Sequence, residues 1–127
     1  MIDSGPIILQ LRSHQPTVRL LRNLGAANRL AISAMTRVEI HARMQPKERF
    51  VTQKLLSRFT TYDLDRQIAD RTGDLIALLR SRGQSIAMAD AVIAATALAH
   101  NLTLVTFNGV HFRIVPGLRL YSIPDAE

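Results

Sequence analysis

The chain has 127 residues, 47% of them hydrophobic and 20% charged, which is the balance of one globular domain and excludes whole-chain disorder. It contains no cysteine, so disulfide frameworks, thiolate metal sites, iron–sulfur clusters and cysteine nucleophiles are excluded. Sixteen basic residues stand against ten acidic ones, and 14 of the 16 are arginine, so the net charge of +6 makes phosphate-bearing polyanions a natural partner.

The chain opens with a short strand over residues 1–3, and helices follow over 6–13 and 16–24, each with proline in its first turn. Gly25 is expected to stop the second helix. Residues 30–33 form a short strand that leads into a helix running through Arg43. Another helix follows Pro46, with Val51, Leu55 and Phe59 stacked at i, i+4 and i+8. A weaker strand covers 60–64. Asp65 opens the most periodic segment, where Ile68, Thr72, Leu75, Ile76 and Leu79 mark one face and Gly83 closes it. Residues 88–100 form a helix apolar on nearly every face, which makes it central, and 102–106 is a strand of buried parallel-sheet character. A last strand covers 118–122.

Strands alternating with helices imply an α/β fold, with a mainly parallel central sheet, helices on both faces and a single domain over residues 1–127. Such sheets place ligands beyond the carboxyl ends of their strands. The N-terminus lacks a basic leader followed by an apolar stretch, and the longest apolar run, 86–99, is broken by Asp90 and too short to span a bilayer. A cytoplasmic protein without a membrane segment is therefore expected.

Seven acids (Glu48, Asp63, Asp65, Asp70, Asp74, Asp125 and Glu127) lie in polar or basic company and read as solvated surface charge. Asp3, Glu39 and Asp90 do not: each interrupts a core-forming segment. An ionised carboxylate in apolar surroundings costs several kcal/mol unless something compensates. Helix capping offers a local answer for Asp3, shared with Ser4, and for Glu39, which stands three residues after Thr36 as in a capping box. Asp90 would complement a helix dipole, which leaves its apolar flanks unexplained. One hard cation, Mg2+ or Mn2+, would serve all three, since these ions take oxygen ligands, waters and substrate phosphate. Thr106 and Asn108 follow at the end of a strand, within reach of the sheet edge that carries Asp3, and His111 is a weaker candidate nearby.

In this order the residues resemble the PIN-domain ribonucleases, and among them the VapC-like toxins of toxin–antitoxin pairs. Asp3-Ser4-Gly5-Pro6-Ile7-Ile8 is similar to the opening motif of that family, and the segment from Ile32 to Glu39 to its second-acid segment. The run from Ala89 to Ala97 resembles the third-acid helix, Thr103 to Asn108 the following strand and Thr-x-Asn turn, and Val115-Pro116-Gly117-Leu118 the entry to the closing strand.

The resemblance implies a three-layer α/β/α domain and a metal-dependent endoribonuclease. Asp3, Glu39 and Asp90 would be both catalytic and metal-binding, with Ser4, Thr106 and Asn108 in support. Hydrolysis through attack of water at phosphorus would leave a 5′-phosphate and a 3′-hydroxyl. His111 stands where many members carry a fourth acid, so a second metal would bind weakly or not at all. Arg12, Arg37 and Arg43, the arginines nearest the acids in sequence, are the candidates to hold the RNA backbone. The resemblance also implies a homodimer and a cognate VapB-like antitoxin. A non-catalytic PIN-like nucleic-acid-binding or regulatory domain would want the same positive charge. Dinucleotide and triphosphate binding are set aside, since neither GxGxxG nor GxxxxGK[ST] occurs.

Overall fold

Two parallel pairs of short strands are joined by the first residues of the chain. The computed structural model describes residues 1–124; Asp125 and Glu127, expected to be surface acids, lie outside the described residues. Strand β1 (Ala31–Ser33) pairs with β2 (Thr60–Tyr62), and β3 (Leu104–Thr106) with β4 (Leu120–Ser122). Between the pairs runs the opening segment. On one side the Ile2 N–H donates to the Ala31 carbonyl at 2.8 Å. On the other, the Asp3 N–H donates to Val105 at 3.0 Å and the Val105 N–H to Met1 at 2.8 Å. The order across the molecule is therefore β2, β1, residues 1–3, β3, β4. The strand expected over 1–3 is reduced to one parallel bridge, Ile2 with Val105, because helix α1 (Ser4–Leu11) begins directly after Asp3.

Side chains alternate across this sheet, as pleated backbone requires. Met1 and Leu104 enter one buried cluster and their neighbours Ile2 and Val105 enter the other. The first cluster is completed by α5 (Arg66–Ser81), α6 (Met88–Ala99) and α7 (Gly109–Phe112), through Leu75, Leu79, Ile93 and Phe112. The second is completed by α1, α2 (Gln15–Ala27), α3 (Ala34–Arg43) and α4 (Arg49–Leu56), through Ile7, Leu21, Ile40 and Leu55. Helices thus cover both faces, and the three-layer arrangement follows.

Local chemistry sets most element ends. Asp65 caps α5 by accepting from the Ile68 N–H at 2.8 Å. Gly83, at φ +69°, closes that helix, with the Gln84 N–H returning to the Leu79 carbonyl at 2.8 Å. Helix α6 is buried from Ala91 through Ala97, and the hydroxyl of Thr96 donates to the Val92 carbonyl at 2.6 Å, so no polar group is stranded by that burial.

Three expectations are corrected. Gly25 does not end α2; the helix runs on to Ala27 and stops at Asn28, whose side chain donates to the Leu24 carbonyl at 3.2 Å. A glycine inside a helix costs about 1 kcal/mol and is no barrier when neighbouring contacts continue the helix. The stripe Val51, Leu55, Phe59 is not the buried face of α4. Val51 is 60% exposed, Phe59 lies past the helix end, and the core receives Thr52, Leu55 and Leu56, because a 3-10 turn over Pro46–Glu48 sets the rotation at which the helix meets the core. The outer strands are also shorter than expected. Strand β3 starts only at Leu104, since Asn101 at φ +54° turns the chain and the Leu102 N–H closes onto Ala97 at 2.9 Å. Among the described residues no helix is long and apolar enough to cross a membrane.

Ile2 is fully buried at the junction of the two strand pairs. Replacing it with alanine is expected to cost about 2–5 kcal/mol of stability, read as a lower urea midpoint with an unchanged slope.

Candidate active site

Asp3, Glu39 and Asp90, far apart in sequence, come together at the end of the opening segment, each close enough to influence the charge of another. Asp3 is 5% exposed and is held from two sides. Its Oδ1 accepts from the Ser4 N–H at 2.8 Å, which caps α1, and its Oδ2 accepts from the Thr106 hydroxyl at 2.8 Å. Thr106 in turn accepts from the Asn108 N–H at 2.9 Å. Capping and a site role are thus combined in one carboxylate, with each oxygen assigned a donor. Asn108 contributes its backbone to this chain; its side chain is exposed.

Glu39 has no such local task. The cap of α3 is Ser33, whose hydroxyl accepts from the Met35 N–H at 3.0 Å. The capping box expected between Thr36 and Glu39 is therefore absent, because the helix begins one turn earlier than that pairing needs. Instead Glu39 Oε1 and Thr36 Oγ1 are buried without a hydrogen-bond partner among the described residues. Asp90 sits in the first turn of α6, where the helix dipole favours a negative charge, and it looks into a cavity of about 380 Å³ that His111 also lines.

All three carboxyls are pushed above their ordinary range, and burial is the first cause in each. For Asp3, the Thr106 and Ser4 hydrogen bonds oppose the rise. For Glu39, the negative charge of Asp3 adds to burial, the Ser4 side chain opposes it, Asp90 adds further, and Arg43 opposes. For Asp90, Asp3 adds to burial and His111 opposes. Mutual repulsion among three half-buried or buried acids is what a cation would relieve.

The donor set fits a hard divalent ion. It consists of carboxylate oxygens, one of them buried and without a donor of its own. Among the described residues no three acid or histidine side chains stand as a closed cage. Mg2+ does not need one, since it keeps several waters and takes one or two carboxylates from the protein.

The arginines divide. Arg12 and Arg43 converge on one small cleft between α1, α3 and α4, and Arg43 is near enough to Glu39 to lower its pKa. Arg37 turns away, donating to the Thr61 hydroxyl of β2 at 3.2 Å. A larger cavity of about 690 Å³, lined by Arg22, Arg29 and Arg58, lies between α1, α2 and the end of α4, and none of the three acids reaches it. Two contributors are not evident from sequence. Thr36 adds a buried hydroxyl one turn before Glu39. A Cβ on Gly5 would stand 3.3 Å from the Phe107 ring, so this glycine lets the start of α1 close against the loop after β3.

The PIN domain family model matches residues 1–118. The chain is 31% identical over 119 residues to ribonuclease VapC10 of Mycobacterium tuberculosis, covering 94% of this chain and 90% of the relative. It is 29% identical over 125 residues to the tRNA(fMet)-specific endonuclease VapC of Salmonella typhimurium, covering 94% of each. Its fold superposes on that of a chain in the VapBC2 complex of Rickettsia felis bound to promoter DNA with a TM-score of 0.85, at 27% identity and 98% coverage of both chains.

Two outcomes are expected from this geometry. Thr106→Val removes a donor from Asp3 and should raise its carboxyl pKa further, read by NMR titration, with a stability loss of about 1–3 kcal/mol. Raised carboxyls hold protons in the folded chain where the unfolded chain, with ordinary values of 3.8 for aspartate and 4.5 for glutamate, has released them. The metal-free protein should therefore lose stability as pH rises from about 4 through the folded pKa values, and Glu39→Gln should flatten that decline in thermal melts.

Proposed function

This chain belongs to the PIN-domain family, and we propose that it acts on RNA at the point where Asp3, Glu39 and Asp90 meet, with Mg2+ or Mn2+ as the resident ion. It is a ribonuclease of the VapC type, the toxin of a toxin–antitoxin pair. Its partner is accordingly a VapB-like antitoxin. The observation that carries the reading of the site is the buried, unpartnered oxygen of Glu39 beside two further carboxylates, an arrangement with a standing cost and no structural return.

Asp3, Glu39 and Asp90 would hold the ion. When bound, such an ion polarises a phosphoryl oxygen and makes water a stronger nucleophile at neutral pH. Asp3 is the fixed member, because the Ser4 N–H and the Thr106 hydroxyl lock its plane. Glu39 brings a free acceptor, while Asp90 arrives on a buried helix that cannot easily move. Arg12 and Arg43, gathered beside Glu39, are placed to hold substrate phosphates by bidentate contact. Arg37 supports β2 and is the least suited of the three to that task.

The test is cleavage of a mixed RNA pool by antitoxin-free protein with Mg2+ or Mn2+. Asp90→Asn and EDTA are each expected to reduce the rate at least about 100-fold, and the products should carry 5′-phosphates. Products ending in a 2′,3′-cyclic phosphate, or equal rates in wild type and variant, overturn the reading.

A further inference from the structure

We propose that His111 decides which metal this site prefers, pairing with Asp90 as a mixed imidazole–carboxylate set that favours a nitrogen-accepting transition-metal ion such as Co2+ over Mg2+. This rests on the metal-binding reading above and sharpens it.

Asp90 and His111 line the same cavity of about 380 Å³, one from the first turn of α6 and the other from α7. Neither position is a matter of loop flexibility. Phe112, the neighbour of His111, is fully buried and anchors α7 in the core, while Asn108 ties the start of α7 through Thr106 to Asp3. His111 itself is exposed, so its ring meets the cavity without being consumed by packing. The two groups also sense each other, since a positive charge on His111 draws the Asp90 carboxyl down.

Donor chemistry supplies the direction. Mg2+ demands oxygen ligands in a regular octahedron and gains little from imidazole. Later first-row ions bind nitrogen donors well, and their affinity for a mixed site rises along the series from Mn2+ through Co2+. A carboxylate at the same position would add negative charge and an oxygen donor, which serves Mg2+ best. The histidine therefore changes the identity of the favoured ion rather than simply removing a ligand.

The experiment is isothermal titration of Mg2+ and of Co2+ into purified antitoxin-free protein at pH 8, with the visible Co2+ spectrum recorded in parallel. The proteins compared are wild type, His111→Asp, His111→Ala and Asp90→Asn. The ratio of Co2+ to Mg2+ affinity is expected to fall about tenfold or more in His111→Asp, with tighter Mg2+ and weaker Co2+, and the Co2+ spectrum to shift. His111→Ala should weaken Co2+ and leave Mg2+ nearly unchanged. If both His111 variants keep the wild-type ratio and spectrum while Asp90→Asn loses both ions, this inference falls and the metal site stands. If Asp90→Asn binds both ions as wild type does, the site reading falls as well.

Discussion

Three carboxylates crowded into a poorly hydrated corner form the constraint on which the rest of this structure depends. Each resists ionisation because burial strips it of water, and Glu39 and Asp90 resist further because they face other acids. Only Asp3 is compensated from within the chain, by one backbone N–H and one hydroxyl. Left alone, such a corner would lower stability, and that is the pattern of a site kept for chemistry rather than for folding.

The sheet explains how the corner can exist in so small a domain. Residues 1–3 bond to β1 on one side and to β3 on the other, so the central position is occupied by a segment that ends, at Asp3, where the chain turns into α1. Alternating side chains then feed two cores at once, with Met1 and Leu104 on one face and Ile2 and Val105 on the other. Both faces being covered, the strand ends are the open place, and the loops and helix starts gathered there carry the acids. Helix α6 adds a rigid support: its small residues let it sit buried from Ala91 to Ala97 and hold Asp90 at its first turn.

The positive charge is not spread evenly in its effect. Arg43 lies near enough to Glu39 to favour its ionised form, and Arg12 joins it at the same cleft, so two guanidinium groups stand beside the acids. Arg37, equally near in sequence, is spent on Thr61. Together with His111 beside Asp90, these cations flank the acidic centre from different elements, a setting in which a polyanionic backbone could approach a negative site without simple repulsion.

The sequence by itself determined the type and order of most elements, both cores in outline, and the three acids. Hydrophobic periodicity of 3.6 or 2 is a local property, and a carboxylate inside an apolar run is conspicuous because its burial is costly. Residues such as Ile68, Thr72, Leu75 and Leu79 therefore announced their face, and Asp65 and Gly83 their helix ends. Tertiary structure alone decided what depends on where elements meet. It set which face of α4 is buried, that Ser33 rather than Thr36 caps α3, that Glu39 keeps an unpartnered oxygen, and that His111 looks into the cavity of Asp90. These are relations between segments 20 to 100 residues apart in this chain, fixed by the docking of helices onto the sheet, and no local pattern of side chains encodes that docking.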